Sequence, residues 1–149
     1  MQSVQTIIPT LLRWTGACVL AGALAACSGA PAQPATPAPI TVSLTNFVLL
    51  PGATSAKAGN VTFVATNNGT GVQHEVIVIR TDLAADKLTI ESDDRVNEDA
   101  LKSIGEVSEL DPGKSGSVTL NLEAGHYVLI CNIASHYRLG MHTDFTVNP

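Results

Sequence analysis

Residues 127–141 read YVLICNIASHYRLGM, an apolar run typical of a buried strand followed by a loop with three possible metal ligands. Cys131 ends the run, His136 lies within the loop and Met141 closes it. A loop between two adjacent strands brings such residues to one end of a sheet. His74, which begins another β-branched run far upstream, is predicted to join them from a separate strand.

The remainder of the chain after residue 39 alternates short apolar segments with turns of Gly, Pro and Asn. This pattern predicts an all-β fold, a Greek-key β-sandwich. The predicted strands cover residues 40–45, 61–65, 74–80, 115–122, 125–130 and 144–147.

An excursion near residues 82–104 interrupts the strand pattern, and its segments 83–88 and 97–102 favour short helices. It is rich in acidic residues, namely Asp82, Asp86, Glu91, Asp93, Asp94, Glu98 and Asp99. One interpretation is a solvated, solubilising loop. The other is an acidic patch that steers a basic partner.

The N-terminus predicts export and anchoring. Residues 1–26 have the short apolar run of a signal peptide, and residues 24–27 (LAAC) resemble the bacterial lipobox, which predicts lipidation of Cys27. The alternative is an ordinary export signal that leaves Cys27 as a plain thiol. Residues 27–39 form a Pro/Ala-rich linker ahead of a domain at 40–149. The expected location is the cell envelope, lipid-anchored to a membrane and facing the periplasm or exterior.

Charge and cysteine usage narrow the possible functions. The formal charge of −5 argues against nucleic acid as a partner, because phosphate binding needs a basic surface. No stretch is apolar for long enough to span a bilayer as a mature helix. Cys18 would leave with the signal peptide and Cys27 would carry lipid, so Cys131 would remain alone in a compartment that favours disulfides. Metal ligation explains such a cysteine.

The four candidate ligands favour copper. A thiolate and two imidazoles, from Cys131, His74 and His136, make a trigonal set, above which the Met141 thioether can act as a weak axial ligand. The soft sulfur donors suit Cu(I), and the imidazoles also accept Cu(II). One copper ion held in one geometry can exchange a single electron with little movement of its ligands.

The pattern of His74 followed by Cys-x₄-His-x₄-Met resembles the cupredoxins, the type 1 blue copper proteins, and is similar to their rusticyanin and sulfocyanin-like branch. The resemblance covers roughly residues 40–149. It implies a single-electron carrier between larger redox proteins, such as a c-type cytochrome or a membrane oxidoreductase. A monomer is the default expectation. The resemblance also implies that His136 has an exposed edge, with Tyr137 and Leu139 flanking the docking surface.

Two positions depart from that pattern. Ala134-Ser135 stands where many relatives have Pro-Gly, which predicts a less stiff ligand loop. Glu75 follows the first ligand, where relatives often have a small amide or hydroxyl residue that braces the loop.

Other functions fit the sequence less well. Copper delivery or storage is the main alternative, but such sites often carry several Met or His residues, and Met141 would be the only methionine left after maturation. Cys131 and His136 could form a thiol nucleophile and base, yet no third orienting group is evident, so we expect no enzyme activity. A structural zinc site would make poor use of a thioether. His126 is expected to be structural or exposed, while His142 is the candidate replacement if Met141 is not axial.

Overall fold

Nine strands form two sheets in residues 37–149, the part of the chain described by this computed structural model. The predicted signal peptide, Cys27 and most of the linker lie outside the described residues. The strands are β1 (Ile40–Thr45), β2 (Val48–Pro51), β3 (Ser55–Lys57), β4 (Gly59–Asn67), β5 (His74–Arg80), β6 (Ser103–Leu110), β7 (Ser115–Leu122), β8 (Gly125–Ile130) and β9 (His142–Asn148).

The first sheet has the order β2-β1-β4-β7 and the second the order β3-β9-β8-β5-β6. The pairs β1–β4 and β3–β9 are parallel, whereas the other neighbours are antiparallel. The only helices in the described residues are a 3-10 turn at Ala85–Lys87 and α1 at Glu98–Leu101. The predictions of an all-β sandwich and of short helices in the excursion are both confirmed.

The main core lies between the two sheets and follows from the period of two in a strand. Ile40, Val42 and Leu44 of β1 are buried, while the residues between them are exposed or half-buried. Phe63 of β4 and Phe145 of β9 meet edge to face across the core, with ring centroids 5.3 Å apart.

β5 is buried on both faces, which explains its continuous apolar run. Val76 and Val78 face the main core, whereas Ile77 and Ile79 belong to a second cluster. That second cluster contains residues of the excursion, namely Ala85, Leu88 and Val96, together with Val128, Ile130 and Tyr137. The excursion therefore covers the outer face of the second sheet, while its acidic side chains are exposed or half-buried.

Three strands were not predicted, because their patterns are weak. β2 and β3 are only 4 and 3 residues long, and β6 pairs with β5 through register shifts that break the alternation of burial. Among the described helices, none is long and apolar enough to cross a membrane.

Candidate metal centre

Three of the predicted ligands converge at one end of the sandwich. The Nδ1 atoms of His74 and His136 lie 3.2 Å apart, and the Cys131 Sγ lies 3.9 Å from the first and 3.4 Å from the second. All three side chains are buried. In the described residues, they form the only group of His, Cys, Asp or Glu side chains with this spacing.

These distances fit one metal ion. A triangle with those sides has a circumradius of about 2.0 Å, so a point in the plane of the three atoms lies about 2.0 Å from each. This is a metal–nitrogen bond length for the two imidazoles and is slightly shorter than the roughly 2.3 Å of a metal–thiolate bond. Two nitrogens and one sulfur in a trigonal arrangement are the set that copper prefers in one-electron sites. The residues present therefore fit a copper ion.

The fold explains why distant residues meet. β5 and β8 are antiparallel neighbours with Ile77 opposite Ile130, so the start of β5 lies beside the residues that follow β8. The loop returns on itself, because the Cys131 backbone N–H donates to the Met141 carbonyl at 2.9 Å and the Met141 N–H donates to the His136 carbonyl at 3.1 Å. The Met141 side chain is fully buried, and its role as axial ligand stays a prediction.

The protonation states of the two histidines also suit metal ligation. Burial lowers the pKa of His74 and of His136, with a further contribution from the partner imidazole at His74 and from Arg95 at His136. Both imidazoles are therefore neutral and able to ligate. Burial raises the pKa of the Cys131 thiol to about 11, against backbone N–H donors from Glu75 and Ile133. A bound metal ion supplies the positive charge that such a thiol needs to ionise.

Glu75 braces the ligand loop, although relatives often have a small amide or hydroxyl residue at this position. Its backbone N–H donates to the Cys131 Sγ at 3.5 Å, and its carboxylate Oε1 accepts the Asn132 backbone N–H at 3.0 Å. The side chain is buried and bridges the first ligand strand to the residue after the cysteine. A longer acidic residue thus makes the contact expected of a smaller one.

Asn132 attaches the ligand loop to the excursion. Its side-chain oxygen accepts the Val96 N–H at 2.7 Å, and its amide donates to the Val96 carbonyl at 2.9 Å and to the Glu98 carboxylate at 2.7 Å. The Asn132 carbonyl accepts a hydrogen bond from Arg95. A loop without Pro-Gly is thereby held in place from outside, a contact that sequence spacing could not reveal.

Tyr137 is buried, whereas the resemblance implied that it flanks an exposed docking surface. It is 3% exposed, and its hydroxyl accepts the Leu88 N–H and donates to the Ala85 carbonyl, because the excursion packs over it. Leu139, by contrast, is 53% exposed. His136 is 6% exposed and Phe47 contacts its ring, so only a small part of this ligand reaches solvent.

The other histidines lie outside the metal group. His142 packs against the Tyr137 ring at a centroid distance of 4.9 Å. His126 pairs with the Thr81 carbonyl and with the Asp144 carboxylate, which fits the structural role predicted for it.

Solved structures with the same fold include three auracyanins. Reduced auracyanin from Roseiflexus castenholzii is 23% identical, with a TM-score of 0.58, 73% of this chain covered and 95% of that chain. Auracyanin B is 25% identical, with a TM-score of 0.57 and coverages of 77% and 94%. Auracyanin A from Chloroflexus aurantiacus is 21% identical, with a TM-score of 0.51 and coverages of 74% and 100%.

Neither the family models nor the curated proteins give a match. The structural matches nonetheless identify the cupredoxin fold, and the predicted resemblance is confirmed at that level. Rusticyanin is also among the matched structures, at a TM-score of 0.46, and the branch within the fold stays a prediction.

Proposed function

We propose that this chain, which has the cupredoxin fold, is a single-electron carrier with one type 1 copper ion bound by His74, Cys131, His136 and Met141. The observation that carries the proposal is the buried triangle of two imidazole nitrogens and one thiol sulfur. When bound, copper supplies the Cu(I)/Cu(II) couple. Auracyanin A, one of the matched structures, is a "blue" copper protein.

The protein's part is to keep the ligands still while the charge changes. Two side chains attach the loop to other parts of the fold. Glu75 ties the first ligand strand to the residue after Cys131, and Asn132 ties that residue to the excursion. Hydrogen-bonded supports of this kind orient ligands and limit their movement.

Burial also argues for electron transfer over copper delivery or storage. His74 and Cys131 are fully buried, and His136 is nearly so. A delivery site must pass its ion to another protein and needs ligands that an acceptor can reach. An electron needs no such opening, since it can pass through the edge of one ligand.

The cellular setting is part of the proposal. We place the protein in the cell envelope, anchored by lipid on Cys27 and held away from the membrane by the linker. The exposed acidic residues of the excursion would steer a basic partner, such as a c-type cytochrome or a membrane oxidoreductase. A Cys27→Ser variant that still fractionates with membranes would contradict the anchor.

The test of the copper site is the visible spectrum of residues 28–149 during titration with Cu(II). We expect an intense thiolate–copper band at one equivalent that bleaches with a mild reductant. Cys131→Ser should abolish the band while circular dichroism shows the fold unchanged. A folded native protein that stays colourless with copper available would refute the proposal.

A further inference from the structure

Phe47 has a backbone conformation that a bulky residue rarely adopts. It stands in the two-residue turn between β1 and β2, with a φ of 66°. In this left-handed region the Cβ crowds the following carbonyl oxygen, so glycine or asparagine is the usual occupant. A strained aromatic residue kept in a surface turn invites a functional explanation.

The strained backbone of Phe47 places its ring against the ring of His136. It meets the His136 ring edge to face, with centroids 5.3 Å apart and an interplanar angle of 84°. Phe47 is 38% exposed while His136 is only 6% exposed, so the aromatic ring lies between the ligand and solvent. The Phe47 carbonyl also lies 3.7 Å from the position that a Cβ on Gly140 would occupy, beside Met141.

The turn is fixed on its other side by Asn46. Its side-chain oxygen accepts the Thr70 N–H at 3.1 Å, and its amide donates to the Thr70 carbonyl at 3.2 Å. The adjacent Gly69 permits this approach, because a Cβ there would lie 2.5 Å from the Asn46 oxygen and 3.2 Å from the His74 Nε2. The turn is thereby attached to the segment that leads into the first ligand.

We propose that Phe47 is a positioning residue that shields the His136 edge of the metal site and excludes small exogenous ligands and chelators from it. The copper part of this inference rests on the proposed function. The strained turn places the ring where an unstrained turn would not, and Asn46 resists its relaxation. Phe47 would thus keep the site a closed electron carrier whose metal does not exchange.

The first experiment measures loss of copper to a chelator in the native protein, Phe47→Ala, Phe47→Tyr and the control Leu50→Ala, an exposed residue of the same hairpin. Loss of an edge-to-face pair should make copper removal roughly tenfold faster in Phe47→Ala. Phe47→Tyr and Leu50→Ala should resemble the native protein, and added azide should change the spectrum of Phe47→Ala alone. Equal rates in the native protein and Phe47→Ala would overturn the proposal.

Two measurements on the metal-free protein test the role of Phe47 independently of copper binding. The His136 imidazole should react with diethylpyrocarbonate faster in Phe47→Ala than in the native chain, with His126 and His142 as internal references. Phe47→Gly should also fold with a larger equilibrium constant than Phe47→Ala, the reverse of the usual order, because glycine tolerates positive φ. If native protein binds no copper, the proposed function fails, but the shield is still tested: an unchanged His136 reactivity would refute it. Equal stability of the Ala and Gly variants would refute the strained turn that is proposed to hold the ring in place.

Discussion

Changing Glu75 to Gln should make the metal-free protein less sensitive to rising pH. Burial raises the pKa of Glu75 to about 7 from its ordinary 4.5, with further contributions from Glu109, Glu98 and Glu106. The Asn132 N–H opposes the shift without cancelling it. Folding therefore favours the protonated carboxyl.

The direction and size of the change in unfolding free energy with pH follow from proton linkage. Between pH 4.5 and 7 the folded state binds more protons at Glu75 than the unfolded state does. The protonated carboxyl therefore stabilises the folded state fully below pH 4.5, and this stabilisation declines as the pH rises. From pH 5 to pH 8 the loss amounts to about 2.5 kcal/mol. The glutamine of the Glu75→Gln variant cannot ionise, and its side-chain oxygen can still accept the Asn132 N–H.

The assay is urea unfolding of the metal-free native protein and Glu75→Gln at several pH values. The stability difference between them should grow in favour of the variant by about 2.5 kcal/mol from pH 5 to pH 8. The lowered pKa values of His74 and His136 give the opposite trend at acid pH, but they are common to both proteins and cancel in the difference. A difference that stays constant across this range would refute the reasoning.

Three further changes test the surroundings of the site. Met141→Leu should leave copper bound but raise the reduction potential, because a weak donor that favours Cu(II) is removed; an unchanged potential in voltammetry would argue against axial ligation. Asn132→Asp removes both amide donors and should cost about 2–4 kcal/mol in urea unfolding. The exposed Asn121→Asp is its control, and equal losses in the two variants would show that the tie to the excursion adds little. Tyr137→Phe leaves the buried Leu88 N–H without its acceptor and should cost about 1–3 kcal/mol, whereas an unchanged midpoint would contradict the packing of the excursion over the loop.

Sequence reasoning succeeded where a local pattern carries the information. The strands at 40–45, 74–80 and 115–122 were predicted with the bounds they have, because alternating or β-branched runs with turn residues at their ends encode them. Three of the four candidate ligands were also predicted to lie together, and the structure brings them together. Cys131 and His136 share a single loop between neighbouring strands, so residue type and short-range spacing are enough to group them. His74 comes from a distant strand, and the pairing of β5 with β8 brings it to them.

Contacts between segments far apart in the chain could not be predicted in this way. The resemblance placed Tyr137 beside a docking surface, and only the packing of the excursion shows that it is buried. Glu75 departs from the small bracing residue of relatives, and only the path of the chain shows that its carboxyl oxygen accepts the Asn132 N–H.

The sequence by itself determined the strand pattern, the acidic character of the excursion and the candidate ligands of the 131–141 loop, because each depends on residue type and short-range spacing. The position of His74 beside that loop depends on the pairing of β5 with β8. The tertiary structure alone decided how those side chains are supported and which of them reaches solvent. It placed Phe47 over His136 and fastened Asn132 to the excursion. Such contacts depend on how separate elements pack, and a local sequence pattern carries no record of that packing.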